Sequence, residues 1–255
     1  MNYRHIALSA ALVGTAMMAS SACAGEPRAV IELFTSQGCS SCPAADKVLG
    51  ELAGDPSLVT MSLPVDYWDY LGWKDTLALH GHSNRERAYA NARGDREVYT
   101  PQAVVDGVVH VLGSDKEAIE AAIEQTRQSR SPLMLPVSLT VADGKVQVKV
   151  PAAGEEQANA EIWLCPISGK VRVAIERGEN HGRTLTYYNV VRRWMKLGEW
   201  SGKAESFSVP IASLANEHYS LKDIDSVTVL VQRGVASKPG LMLGAATASL
   251  HPLSN

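Results

Sequence analysis

Two cysteines separated by two serines, Cys39-Ser40-Ser41-Cys42, stand where a β-rich run gives way to a run with helical periodicity. This pair constrains the chain more than any other feature. A CxxC closes so short a loop that cross-linking it removes little unfolded-state entropy, which makes stapling a poor reason to have it. Thiol–disulfide exchange or metal binding remain. The run ahead of it, Ala29-Val-Ile-Glu-Leu-Phe-Thr35, is expected as a buried strand. The run behind it places Ala45, Val48, Leu49 and Leu52 on one helix face, and Gly54 with Asp55-Pro56 ends that helix. Cys39 is therefore expected in the N-cap region, with Cys42 about one turn further on. Unpaired N–H groups and the helix dipole favour a thiolate there, and the thiolate is the nucleophile. Cys42, placed deeper, is positioned to attack a mixed disulfide on Cys39 and release the product. Ser40 and Ser41 add hydroxyl dipoles near the sulfur, and Pro43 is tolerated because first-turn N–H groups lack helical partners.

The first two dozen residues predict export. Arg4 and His5 precede an apolar run from Ile6 to Met18, and Ala22-Cys23-Ala24 fits a small-x-small cleavage site, so residues 1–24 read as a signal peptide. The run is short for a membrane span, and no other stretch is apolar enough for one. Acylation of Cys23 is the lesser reading, because Ser20 stands where a bulky aliphatic residue is expected. Periplasmic or secreted localisation follows. Of the four cysteines, loss of Cys23 leaves Cys39, Cys42 and Cys165, an odd set that implies a free thiol or a cycling pair. With 45% hydrophobic residues and a net charge of -3 without any Lys/Arg stripe, a normal core can form and a nucleic-acid partner is excluded.

Residues 25–130 alternate strand and helix signals. Leu58–Val65 reads as a strand, Ser83 with Glu86 as a capping box opening a polar helix to about Arg93, and Asp106-Gly107 as a hairpin turn. Ser114 with Glu117 starts a last helix that buries Ile119, Ala122 and Ile123. That order is an α/β signature. After a linker at Ser129–Pro132, residues 131–255 turn to strands: a hairpin around Asp143-Gly144, then Ala160–Ser168, Val171–Glu176, Thr184–Val191, Ser206–Ile211, Val227–Gln232 and Leu241–Ala248. Short strands between turn residues predict an antiparallel β-sandwich domain.

The segment Tyr99-Thr-Pro-Gln-Ala-Val-Val-Asp-Gly107 resembles the thioredoxin superfamily, in which a cis-proline ahead of a hairpin strand sits beside the redox cysteines. The resemblance implies a thioredoxin-like domain, a mixed sheet flanked by helices, with Pro101 as that proline and Thr100–Pro101 positioning substrate. Leu33-Phe-Thr-Ser-Gln-Gly-Cys-Ser-Ser-Cys42, Thr100-Pro-Gln and Gly113-Ser-Asp115 are similar to glutaredoxin segments, the last to an anion-binding helix start. The arrangement also resembles a family of secreted thioredoxin-like bacterial proteins known as domain of unknown function 1223. It does so through Glu32–Pro43, Asp66–Asp75, Tyr99–Gln102 and Arg177-Gly-Glu-Asn180. Two departures stand out. The buried acid of thioredoxins corresponds to Leu33 here, while Glu32 should point to the opposite face. Gln37-Gly38 replace the basic residue that meets glutathione in glutaredoxins.

The leading expectation is an exported thiol–disulfide oxidoreductase using Cys39 and Cys42, acting on a thiol or disulfide substrate (a protein among the options) with a redox partner protein and no organic cofactor. No second CxxC or Cys/His cluster suggests zinc. One alternative is a copper-binding protein holding Cu(I) with the same thiolates plus Met61 or a histidine. Another is a non-catalytic interaction module. Cys165 reads as a core residue, and His80, His82 and His110 as surface or hydrogen-bonded histidines. Tyr67, Trp68, Tyr70 and Trp73 fit a substrate groove or interdomain packing equally well. Asp46, one turn beyond Cys42, suits either assistance in deprotonation or simple solvation. Asn180 and His181 lie in a Gly-rich turn with no chemistry attached.

Overall fold

The computed structural model describes residues 26–154 and 159–251; the leader reading, with Cys23, lies outside them. The first half runs β1 (Ala29–Thr35), α1 (Cys42–Leu52), β2 (Leu58–Pro64), α2 (His80–Arg93), β3 (Gln102–Val105), β4 (Val109–Leu112) and α3 (Lys116–Arg130). β2 pairs parallel with β1, β3 antiparallel on its other side, and β4 antiparallel with β3. β1 is buried along its whole length, and its alternation sorts the two faces. Ala29, Ile31 and Leu33 pack with Ala45, Leu49, Ile119 and Ile123 of α1 and α3. Val30 and Phe34 pack with Tyr89 of α2 on the other face.

The second half supplies β5 (Ser138–Ala142), β6 (Lys145–Val150), β7 (Ala160–Ala174), β8 (Thr184–Val191), β9 (Met195–Trp200), β10 (Glu205–Pro210), β11 (Ser226–Val235) and β12 (Lys238–Ser249). Its larger sheet is continuous with that of the first half, in the order β12-β11-β7-β8-β2-β1-β3-β4 with β9 also on β7. β8 joins β2 in parallel at Ser62 and Val190 and is antiparallel to β7. A separate sheet, β10-β6-β5, faces this region, with Val146, Val148 and Val150 packed among Ile162, Leu164, Val227, Val229 and Val231. The two-layer packing of the second half is thus built on a sheet that both halves share. Two expected strands, Ala160–Ser168 and Val171–Glu176, are one long β7, and β9 lacked a sequence signal.

The joint between halves is tied down chemically. The Asp106-Gly107 turn has positive φ at both residues, 50° and 76°, the geometry that favours this dipeptide in a hairpin. A Cβ on Gly107 would come 2.3 Å from the Gly240 carbonyl oxygen, so glycine is needed for the turn to sit on the second half. Beyond the linker, the Leu133 and Leu135 N–H groups donate to the carbonyls of Met242 and Leu243.

α2 departs from its expected start. It begins at His80, and Ser83 lies inside the helix, where its hydroxyl donates to Asp66. Glu86 accepts from the Tyr67 hydroxyl and the Tyr99 N–H instead of capping. One face of this polar helix is buried because its polar side chains find partners on the elements packed against it. Arg85 donates through Nε to Glu32 Oε1 at 2.6 Å, and through Nη2 to Tyr89 Oη at 2.7 Å and Gln232 Oε1 at 2.8 Å. The Tyr89 hydroxyl also donates to Glu32. The α3 cap is likewise one residue later than expected: Asp115, not Ser114, accepts from the Ala118 N–H at 2.9 Å.

Candidate active site

Cys39 and Cys42 are joined as a disulfide. α1 begins at Cys42, so Cys39 lies in the turn ahead of it, tied by Cys39 N–H to the Ser36 carbonyl and Cys42 N–H to the Cys39 carbonyl, both 3.2 Å. Both sulfurs are deep: Cys39 is 2% exposed and Cys42 fully buried. The Ser41 hydroxyl stands 3.4 Å from Cys39 Sγ, and the Thr100 carbonyl oxygen 3.8 Å from the same sulfur. The Thr100–Pro101 bond is cis. A Cβ on Gly113 would come 2.5 Å from Leu33 and 3.3 Å from Pro101, so glycine lets α3's approach close over Pro101. Cys39, Cys42, Thr100 and Pro101 therefore converge as the sequence reading grouped them. Asp115 takes its own helix's N–H, where the glutaredoxin likeness implied an anion.

The segment between β2 and α2 covers the disulfide turn. Trp68 Nε1 donates to Thr100 Oγ1 at 2.7 Å, and its Cβ lies 3.0 Å from where a Gly38 Cβ would be. Its indole stacks on Tyr70, which is 77% exposed. Trp73 Nε1 donates to Gln37 Oε1 at 2.8 Å, and the Asp75 carboxylate accepts from the Gln37 N–H at 2.7 Å. Trp73 also packs with Ile175, Leu185 and Tyr187 of the second half. Within the aromatic stretch, Trp68 packs against the cysteine turn with Tyr70 stacked on it, while Trp73 packs between the halves.

The side chain that the sequence left without a role is Asn180, at the tip of the β7–β8 hairpin. It is fully buried. Its Nδ2 donates to the carbonyls of Gln37 at 3.0 Å and Cys39 at 2.9 Å. Its Oδ1 accepts from Arg183 at 2.8 Å, which fixes the amide orientation. Neighbouring Glu179 accepts from the Ser40 N–H at 3.3 Å. The signal that pointed there was the Arg177-Gly-Glu-Asn180 likeness, although composition and spacing named no chemistry.

Two carboxyls lie beneath the turn. Asp46 is buried, which corrects the solvated alternative: Oδ1 accepts from Thr35 Oγ1 at 2.8 Å, while Oδ2 is buried without a partner. Burial pushes its carboxyl well above the usual range. Asp75 is pushed up to about 6 by the same cause. Glu32 points to the α2 face into the Arg85 network, so the acid on the cysteine side is Asp46, displaced from β1 to α1.

Elsewhere, His82 Nδ1 pairs with the Pro64 carbonyl, His80 with Asp66, and His110 with Tyr99. Cys165 is a core residue whose thiol burial pushes up. Met61 lies in the same core cluster as Phe34 and Tyr89. Among the described residues, no three Cys, His, Asp or Glu side chains converge as a metal site, and no helix is long and apolar enough to cross a membrane.

Comparison with known proteins adds four findings. The chain is similar to protein AGR_C_4864 from Agrobacterium tumefaciens, a crystal structure with 29% identity, TM-score 0.77, and coverage of 91% of this chain and 99% of that one. It shares its fold with HBP35 of Porphyromonas gingivalis at 11% identity and TM-score 0.62, covering 88% and 76%. No curated protein matches it. Residues 30–232, which hold the cysteine pair, the cis-proline and Asn180, match the family described as "Protein of unknown function (DUF1223)", and the chain belongs to that family.

Proposed function

We propose that the protein is an exported thiol–disulfide oxidoreductase whose first half has a thioredoxin-like architecture. The observation that carries the reading is the meeting of the Cys39–Cys42 disulfide at the start of α1 with the carbonyl of Thr100, ahead of a cis-proline. In the reduced protein, the Cys39 thiolate attacks a substrate disulfide R–S–S–R′, forming Cys39–S–S–R and expelling R′–S⁻, which takes up a proton. Cys42 then gives its proton to Asp46 and attacks Cys39 Sγ, expelling R–S⁻. Two electrons pass to the substrate, and the pair is left oxidised. Turnover needs a dithiol protein or thiol as co-reactant to reduce it again. Thr35 holds one Asp46 oxygen and leaves the other free to accept that proton.

The test is equilibration of the mature protein in graded dithiothreitol buffers, with thiols counted after alkylation. A reversible two-electron transition that vanishes in Cys39→Ser supports the reading. Failure to transit, with retention of added Cu(I) by the reduced protein, would replace it with metal handling.

A further inference from the structure

The second half contributes more than a scaffold to the disulfide turn. The first turn of α1 contains no acidic residue of its own. An acid instead reaches this end of the helix from 139 residues away, as Glu179 on the N–H of Ser40, one residue ahead of the N-cap Ser41. Its position is built. Gly178 and Gly182, at φ 77° and 78°, turn the chain at the hairpin tip. The Ile175 N–H donates to the Arg183 carbonyl and the Gly182 N–H to that of Ile175, which closes the loop. Asn180 clamps it to the carbonyls of Gln37 and Cys39.

We propose that Glu179 is a tuning residue that holds the cysteine pair toward the reducing side, so that the β7–β8 hairpin of the second half sets the redox poise of the first. The inference rests on the oxidoreductase reading and deepens it. An anion at a helix N-terminus is stabilised by the unpaired N–H groups. In the reduced protein, the Cys39 thiolate is drawn to the N–H groups of this turn and helix start, and Glu179 both holds the neighbouring Ser40 N–H and repels the thiolate. In the oxidised protein, Glu179 keeps its hydrogen bond with no competing charge. Both effects favour the disulfide, and a favoured disulfide means a lower reduction potential. The other ionisable groups bonded into the turn are Asp46, Asp75 and, through Asn180, Arg183. The two aspartates are held from β1 and from the Gln37 N–H, and neither touches the Ser40 N–H. Glu179 is exposed, so replacing it leaves the core intact.

The experiment compares wild type with Glu179→Gln in dithiothreitol buffers at low ionic strength, alongside the pH dependence of Cys39 alkylation by iodoacetamide. Helix-terminal charge interactions predict that the equilibrium constant shifts about two- to fivefold toward the dithiol in the variant. That is a rise of about 10–20 mV for a two-electron couple. The variant should also reach half-maximal alkylation at lower pH. Raising salt to about 0.5 M should move wild type toward the variant and leave the variant in place, because exposed charges are screened. A merely structural Glu179 would not produce that salt convergence. Unchanged potential and alkylation profile, with the wild-type transition intact, overturns the inference alone. Loss of any reversible transition in wild type overturns the oxidoreductase reading itself.

Discussion

Removing the guanidinium of Arg85 should destabilise the protein strongly, and the structure supplies the size of the effect. Glu32 is fully buried in the middle of β1, and Arg85 partners both of its oxygens, at 2.6 and 3.2 Å. Arg85 also stacks on Trp194, with Cζ 4.2 Å from the ring centroid, and reaches Gln232 on β11. Arg85→Met keeps much of the stem's packing but leaves the Glu32 carboxylate buried, with Tyr89 alone to answer it. Breaking one side of a buried pair costs about 3–5 kcal/mol, a large part of the about 5–15 kcal/mol that holds a domain. Urea unfolding of the oxidised protein, followed by far-UV circular dichroism and by tryptophan fluorescence, measures the loss as a shift in midpoint. Glu32→Gln combined with Arg85→Met should cost less than the two single changes added together, by more than about 1 kcal/mol, since neither charge is then orphaned. A loss below about 1 kcal/mol for Arg85→Met, or additivity within about 0.5 kcal/mol, would refute the argument.

Two further expectations concern the cover over the cysteines. Burial pushes Glu86 up to about 7 from its ordinary 4.5, so the folded state holds that proton more tightly than the unfolded chain. Its contribution to stability is therefore full below about 4.5 and falls as pH rises to about 7; Glu86→Gln should remove about 3 kcal/mol of that slope. Chemical denaturation of both proteins at pH 5 and 8 checks this, and the contribution of His82, lowered to about 4 with the opposite slope, cancels in the difference because both proteins carry it. Trp68→Ala should expose Cys39 and speed its alkylation in the reduced protein several-fold, with Trp68→Phe intermediate because it keeps the packing and loses the Thr100 bond. Equal rates for all three, by mass spectrometry, would mean that Trp68 does not limit access.

What could be read from the sequence was whatever local chemistry dictates. The alternation of β1, the CxxC ahead of α1, the Asp106-Gly107 turn and the opposite facing of Glu32 all follow from strand period and turn geometry. The start of α2 slipped because a tertiary partner took the expected cap: Ser83 bonds to Asp66 across the chain, and the helix starts upstream. The buried state of α2 was hidden because a polar helix reads as a surface helix until its partners, Glu32 and Gln232, are placed beside it. The likeness in Arg177-Gly-Glu-Asn180 marked the segment, but the bonds of Asn180 and Glu179 to the turn were out of reach for the same reason, since they span about 140 positions. Asp46 lay in plain view one turn past Cys42, but periodicity alone does not distinguish a buried carboxyl from a wet one.

The pairing of β8 with β2 bears on how the molecule can be taken apart. Texture invites a cut at Ser129–Pro132, yet that cut would bare the β2 edge beside β1 and strip Gln232 from Arg85. Tyr188 of β8 also presses on Gly50 of α1, where a Cβ would lie 2.4 Å from its ring, so the helix that carries Cys42 would lose its floor. A fragment ending at residue 130 would present an open strand edge to any other chain, the situation that seeds edge-to-edge aggregation. The visible seam in the chain is not a place to divide the protein.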